Sequence, residues 1–206
     1  MALKSKLILF ILYLVGLFGM MSPYRSLFLS LTPVNLAISA VILLLNHKSF
    51  TSAFLVFIAF VCLGGIGIEI IGTKTGLIFG QYYYGNTLGP KLFGVPVVIG
   101  INWLILIYCM GVFIGKLKGN NITKSVAGAL LLVLLDIMIE PVAIHSDYWK
   151  WDNSVVPMHN YIGWFAVSLV FLFIFNKMQF NKTNTVAPVL LSLQFLFFGL
   201  LNYFTL

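Results

Sequence analysis

Two acidic residues lie four positions apart in one of the most apolar stretches of this chain. The stretch AGALLLVLLDIMIEP carries Asp136 and Glu140 and reaches Pro141. Residues at i and i+4 share a helix face, so the two carboxyls should point the same way. Two ionised carboxyls repel each other in a dry site. We therefore expect one of them to hold its proton, and such a group can donate that proton to an apolar molecule.

A third acidic residue, Glu69, lies near the end of another apolar run. Ionisable groups within membrane-spanning segments are costly and are usually functional. Glu69, Asp136 and Glu140 are therefore the candidate catalytic residues. A purely structural role stays open, in which the carboxyls pair with Lys74 or Arg25 or accept hydrogen bonds from Tyr and Trp.

The chain has five acidic residues, and the other two lie in the connection that follows Pro141. Asp147 and Asp152 are loop residues. Asp152 is followed by Asn153 and Ser154, which is typical of a turn. We expect a lesser role for these two carboxylates.

Aromatic residues crowd the connections beside the acids. Trp and Tyr collect at membrane interfaces, which would explain most of them. Aromatic faces also attract cations, as a site that handles a carbocation would require. Composition does not separate these interpretations for Tyr82, Tyr83, Tyr84, Trp103, Tyr148, Trp149, Trp151, Tyr161 and Trp164.

Two histidines flank the second of these connections. With Asp136 or Glu140, His145 and His159 could form an iron site of two histidines and one carboxylate. Their spacing matches no metal motif, and a loop hydrogen bond is the more ordinary role, so no metal is predicted. The chain shows no phosphate-binding loop and no convincing dinucleotide fingerprint.

Composition indicates the elements that must position these residues. The chain of 206 residues is 61% hydrophobic and 8% charged, with a mean hydropathy of +1.05, whereas soluble domains are about a quarter charged. Its apolar runs are long and do not alternate with polar residues. The sequence thus predicts an all-α transmembrane bundle forming a single domain over 1–206. The net charge of +7 comes from basic residues scattered in short loops, so it does not indicate nucleic-acid binding.

About seven membrane helices are expected, and Pro141 should end the fifth. Eight basic residues fall on one side of this arrangement and four on the other, which predicts a cytoplasmic N-terminus. The acidic residues and both long connections would then face outward. The helices are predicted at about 5–21, 27–45, 51–72, 94–115, 123–143, 159–176 and 186–204.

Two blocks of the sequence carry recognisable motifs. The run 68–108 has an acid, then G-x-x-x-G-x-Y-x-Y, L-G-P, G-V-P and a tryptophan. The run 136–165 has D-x-x-x-E-P, W-x-W and N-Y-x-G-W. Together they resemble the membrane carotenoid-biosynthesis proteins, the family that includes the carotenoid 1,2-hydratases.

This resemblance implies the addition of water to the terminal double bond of an acyclic carotenoid end, giving a tertiary alcohol without a cofactor. Glu69, Asp136 and Glu140 would supply the acid and the base. The partners implied are a carotenoid, membrane lipid and, in addition, other carotenoid-biosynthesis enzymes, in a prokaryotic cell membrane. The substrate-binding residues carried by the motifs are Tyr82, Tyr84, Trp103, Trp149, Trp151, Asn160, Tyr161 and Trp164.

Two other classes of function stay open on the sequence alone. Carboxylates buried on two helices would serve a proton-coupled transporter equally well. A non-catalytic carotenoid-binding subunit of a biosynthetic complex would show the same apolar helices and aromatic residues.

Overall fold

A computed structural model describes residues 2–152 and 154–205 as a helical bundle with two small sheets at one end. The predicted all-α membrane architecture is confirmed: α1, α4, α6, α7 and α8 are long and apolar enough to cross a membrane, while α3 and α5 are apolar but shorter. The elements are α1 Ala2–Met20, α2 Arg25–Ser30, α3 Thr32–Leu45, α4 Ser52–Thr75, β1 Tyr82–Tyr84, β2 Lys91–Leu92, β3 Val95–Pro96, α5 Val98–Ile114, α6 Asn121–His145, β4 Trp149–Trp151, α7 Met158–Lys177 and α8 Ala187–Thr205.

The helix predicted over 27–45 is instead two helices, α2 and α3, which meet at Leu31. Pro33 lies in the first turn of α3. Proline has no backbone N–H and its ring crowds the preceding turn, so α2 ends at Ser30 and α3 begins at Thr32.

The prediction that Pro141 ends its helix is wrong, because α6 continues through Pro141 to His145. The missing proline N–H leaves a gap in the hydrogen bonds of the helix. Beside this gap the amide of Asn202 on α8 donates to the carbonyl of Met138 at 2.6 Å. The carbonyl that loses its usual partner at Pro141 is that of Ile137, next to Met138, so the Asn202 side chain ties α8 to α6 beside the gap.

Helix α5 lies at the centre of the bundle and contacts α3, α4, α6, α7 and α8. Trp103 on α5 is buried and stacks on Trp164 of α7, with ring centroids 4.6 Å apart. Gly65 on α4 gives the Trp103 side chain its space, since a Cβ there would lie 2.7 Å from Trp103 Cδ1. The central helix thus holds α4 and α7 around one tryptophan pair.

Strands β1 and β4 join the two long connections in an antiparallel pair, with Tyr82 opposite Trp151 and Tyr84 opposite Trp149. Alternate side chains of a strand point to opposite faces. Tyr82 and Tyr84 are accordingly buried while Tyr83 is 54% exposed.

The second strand pair, β2 with β3, is a hairpin that lies directly before α5, so the helix predicted from residue 94 begins at Val98. The two-residue turn of the hairpin has positive φ angles at Phe93 (49°) and Gly94 (92°), the geometry that suits tight hairpins.

We expect Gly65→Ala to destabilise the protein by about 1–3 kcal/mol, because the added methyl would displace the base of the Trp103 side chain. Gly67→Ala on the same helix is the matched control, since a Cβ there meets nothing within 4 Å. The control should equal or exceed the wild type, because alanine favours helices. Melting temperatures in detergent measure both, and equal values for the two variants would contradict the packing account.

Candidate active site

Glu69 lies buried on α4 and accepts hydrogen bonds from three aromatic side chains. The Tyr82 hydroxyl donates a short hydrogen bond to Oε2, and the Tyr84 hydroxyl donates to the same atom at 2.8 Å. Trp103 Nε1 donates to Oε1 at 3.0 Å. The two tyrosines reach the carboxyl together because they lie on one face of β1.

The two tyrosines are held as hydrogen-bond donors. Burial raises the pKa of both phenols, and the negative charge of Glu69 raises the pKa further. Tyr82 and Tyr84 therefore stay protonated at neutral pH and direct their hydroxyl hydrogens at Glu69.

Glu140 lies buried on α6 and also accepts three hydrogen bonds. Trp149 Nε1 and Trp151 Nε1 donate to Oε2 at 3.0 Å and 2.9 Å, and Asn160 Nδ2 donates to Oε1 at 3.2 Å. Trp149 and Trp151 alternate with an exposed Lys150 on β4. The two indoles therefore share one face of the strand.

Asp136 lies one turn before Glu140 and is fully buried. Asn160 Nδ2 donates to its Oδ2 at 2.7 Å. An amide nitrogen carries two hydrogens, so Asn160 can donate to both acidic residues at once. Oδ1 of Asp136 has no hydrogen-bond partner within residues 2–152 and 154–205.

Glu69 and Glu140 both line a small cavity of about 30 Å³. A space of this size has room for about two water molecules. Asp136 does not line this cavity but contacts Asn160, which does. The remaining lining residues are Phe79, Tyr82, Tyr84, Ile99, Asn102, Trp103, Trp149, Trp151, Asn160 and Trp164.

Most of the residues suggested by the motifs meet at this cavity, but Tyr161 does not line it and is only partly buried. Three lining residues, Phe79, Ile99 and Asn102, were missed. Asn102 could have been predicted from the sequence, because it is a polar residue directly before Trp103 within an apolar run. Phe79 and Ile99 could not have been predicted, since the sequence does not distinguish them from other apolar residues.

The basic residues considered as counter-ions contact other groups. Lys74 Nζ lies 5.0 Å from the centroid of the Phe93 ring, and Arg25 donates to Ser146 Oγ at 3.1 Å. Within the described part of the chain, the ion pair is Lys150 with Asp147 at 2.8 Å, and none involves the three buried carboxyls. Neutral N–H and O–H donors therefore hold these carboxyls.

The two histidines considered for a metal site, His145 and His159, are both exposed. Neither lines the cavity. The backbone carbonyl of His145 accepts a hydrogen bond from Arg25 at 3.3 Å, which ties the end of α6 to α2.

Comparison with known proteins agrees with the motifs. A family model described as carotenoid biosynthesis protein matches residues 28–206. The chain belongs to this family. It is also similar to a bisanhydrobacterioruberin hydratase from Haloarcula japonica, with 29% identity over 118 residues. That match covers 53% of this chain and 40% of the hydratase, and no solved structure matches.

Every residue of the cavity lies within the part of the chain that matches the carotenoid-biosynthesis family. Ionising a buried carboxyl that has no cation beside it costs free energy, because the charge is removed from water. Such a group can exist as a neutral acid at neutral pH and can protonate an apolar molecule that enters the cavity.

We expect Asn160→Ala to lower stability by about 1–3 kcal/mol, because the donor shared by Asp136 and Glu140 is lost and buried oxygens are left unsatisfied. Asn176→Ala is a control on the same helix, where the amide donates to Ser125 Oγ at 2.9 Å. The control should cost about 0.5–1.5 kcal/mol, as for a hydrogen bond between neutral groups. Thermal unfolding in detergent compares them, and a smaller loss for Asn160→Ala than for Asn176→Ala would refute the bridging role.

Proposed function

We propose that this protein is a hydratase that adds water to the terminal 1,2 double bond of an acyclic carotenoid end and forms a tertiary alcohol. The observation that carries the proposal is the small aromatic cavity lined by Glu69 and Glu140, with no cation paired to either carboxyl among the described residues. The similar protein from Haloarcula japonica bears the name of a hydratase, and membership of the carotenoid-biosynthesis family supports a carotenoid substrate.

Glu140 is the proposed acid, because its carboxyl lines the cavity and Asp136 lies directly behind it. The side-chain amide of Asn160 donates to both buried carboxyls, which lie so close together that ionising both would be costly. The pair therefore retains a proton. Transfer of that proton from Glu140 to the less substituted alkene carbon leaves a tertiary cation on the neighbouring carbon.

Glu69 is the proposed base. The cation lies against the aromatic faces of the cavity, which attract positive charge. A water molecule attacks the cationic carbon, and its proton passes to Glu69. Return of this proton to Glu140 through solvent restores the starting state, so the net reaction is alkene plus water to alcohol and needs no redox cofactor.

The location of the cavity suits a substrate that is dissolved in the membrane. The carboxyls lie near one end of the bundle, next to the strands that join the connections. A carotenoid is about as long as the hydrocarbon core is thick, roughly 30 Å. Its end can therefore reach the watery interface while the polyene stays in lipid. We place the N-terminus in the cytoplasm and this end outside, in a cell membrane.

We expect Glu140→Gln and Asp136→Asn to lower product formation by about 10²- to 10⁴-fold, because an amide keeps the shape of the side chain but has no acidic proton. Asp152→Asn is the control, since Asp152 is exposed. Pigment analysis of cells that also make an acyclic carotenoid measures the product. Wild-type turnover in both carboxyl variants would rule out their proposed roles. An unchanged pigment with the wild-type protein would favour the transporter or the binding subunit.

The oxygen of the new hydroxyl should come from water. Purified protein without molecular oxygen or a reductant should convert substrate in ¹⁸O-labelled, deuterated water. Mass spectrometry should find one ¹⁸O and one carbon-bound deuterium in each added water unit. Oxygen derived from O₂, or a strict need for iron and a reductant, would contradict hydration and return His145 and His159 to consideration.

A further inference from the structure

A second and larger cavity of about 300 Å³ lies beside the carboxyl cavity. Its walls come mainly from α1, α3 and α8, and most of them are apolar. Leu12 and Gly16 contribute from α1, Val34 and Ile38 from α3, and Phe197 from α8. The lining on α1 runs from Leu12 to Met20, which corresponds to about 12 Å along the helix axis. The cavity is therefore a groove that follows the helices.

This groove leads to the proposed active site. Ile99, Asn102 and Trp149 line both cavities. Trp149 also donates its indole N–H to Glu140. One side chain thus forms part of the groove wall and holds the proposed acid, so a molecule lying in the groove would have one end next to Glu140.

The groove is also open along its side. Val15, Val34 and Ile38 line it and are 50%, 50% and 39% exposed. These residues lie on α1 and on α3 of a membrane protein, where the surroundings are lipid. A long apolar molecule could therefore enter sideways from the membrane without crossing water.

Two polar side chains in the wall, Thr32 and Asn35, already have hydrogen-bond partners. Thr32 Oγ1 and Tyr148 OH are 2.8 Å apart, and Asn35 Oδ1 accepts a hydrogen bond from Ser39 at 3.2 Å. Gln194 is 3% exposed, and its Oε1 has no partner within the described ranges. The groove therefore offers an apolar surface with one buried amide, which lies near the middle of α8.

Building on the proposed function, we infer that this groove binds the part of the substrate's polyene chain that adjoins the acyclic end. The acyclic end passes Ile99, Asn102 and Trp149 to reach the carboxyls. The cavity beyond them is about 30 Å³, against about 300 Å³ for the groove. The smaller cavity has room for the reacting water, and the groove has room for the adjoining part of the carotenoid chain.

Gly16 offers a way to block the groove without touching the carboxyl cavity. A Cβ at Gly16 would lie 3.6 Å from Phe197 Cε2 and 3.8 Å from Asn35 Nδ2, which are ordinary contacts. The backbone at Gly16 therefore has room for a side chain, and the ring of Gly16→Phe would extend into the groove. Gly67→Phe is the matched control, because its Cβ would meet nothing within 4 Å.

Binding can be followed independently of turnover. An acyclic carotene is achiral, so visible circular dichroism arises only when the protein holds it in a chiral environment. We expect this signal with purified wild type, Gly67→Phe and Glu140→Gln. We expect its loss in Gly16→Phe, together with a KM for the carotene raised at least about tenfold. Should Gly16→Phe fail to fold, Val34→Trp blocks the groove from α3 and should give the same result.

A short acyclic isoprenoid with the same terminal double bond controls for damage to the active site. Gly16→Phe should lose far less activity toward this compound than toward the carotene, because the short compound makes few contacts with the groove. Full binding and an unchanged KM for the carotene in both blocked variants would overturn the inference while leaving hydration intact. A wild-type protein that binds the carotene but converts neither compound would overturn the proposed function and leave the inference about binding in the groove intact.

Discussion

The structure depends on holding three carboxyls inside an apolar bundle without a counter-ion. Glu69 and Glu140 each accept hydrogen bonds from three neutral donors, and Asp136 shares the Asn160 amide with Glu140. Buried polar groups without partners are strongly destabilising. Donor groups must therefore arrive from several elements at once, and this requirement shapes the end of the bundle where the carboxyls lie.

The two long connections meet this requirement through a three-residue ladder. Strand β1 directs Tyr82 and Tyr84 at Glu69, and β4 directs Trp149 and Trp151 at Glu140. Three-residue strands have little stability by themselves. Here they are held by side-chain bonds to helices on both sides, so the ladder and the carboxyls stabilise each other.

The sequence predicted the class of fold because a long apolar run with few charges satisfies its own backbone hydrogen bonds in lipid by forming a helix. It also predicted that Asp136 and Glu140 share a face, which follows from helical geometry. Hydrogen bonds from Tyr and Trp to the carboxyls were one of the alternatives left open, and the structure shows them, but the sequence could not say which residues pair. Tyr82 and Trp151 are 69 positions apart in the chain, yet they face each other in the ladder, and nothing local encodes that pairing. The continuation of α6 past Pro141 was not predicted either, because the sequence does not show that α8 packs against α6 there through Asn202.

The ladder between β1 and β4 makes the end of the bundle that holds the three buried carboxyls open or close as one unit. The backbone bonds between β1 and β4 continue on both sides, from Gly85 to Tyr148 at 3.0 Å and from Asp152 to Gln81 at 3.2 Å. If this clasp opened, Glu69 and Glu140 would lose their aromatic donors together. Entry of water would therefore coincide with the loss of these hydrogen-bond donors. The buried carboxyls are thus either fully held or fully hydrated, with no partly open arrangement between the two.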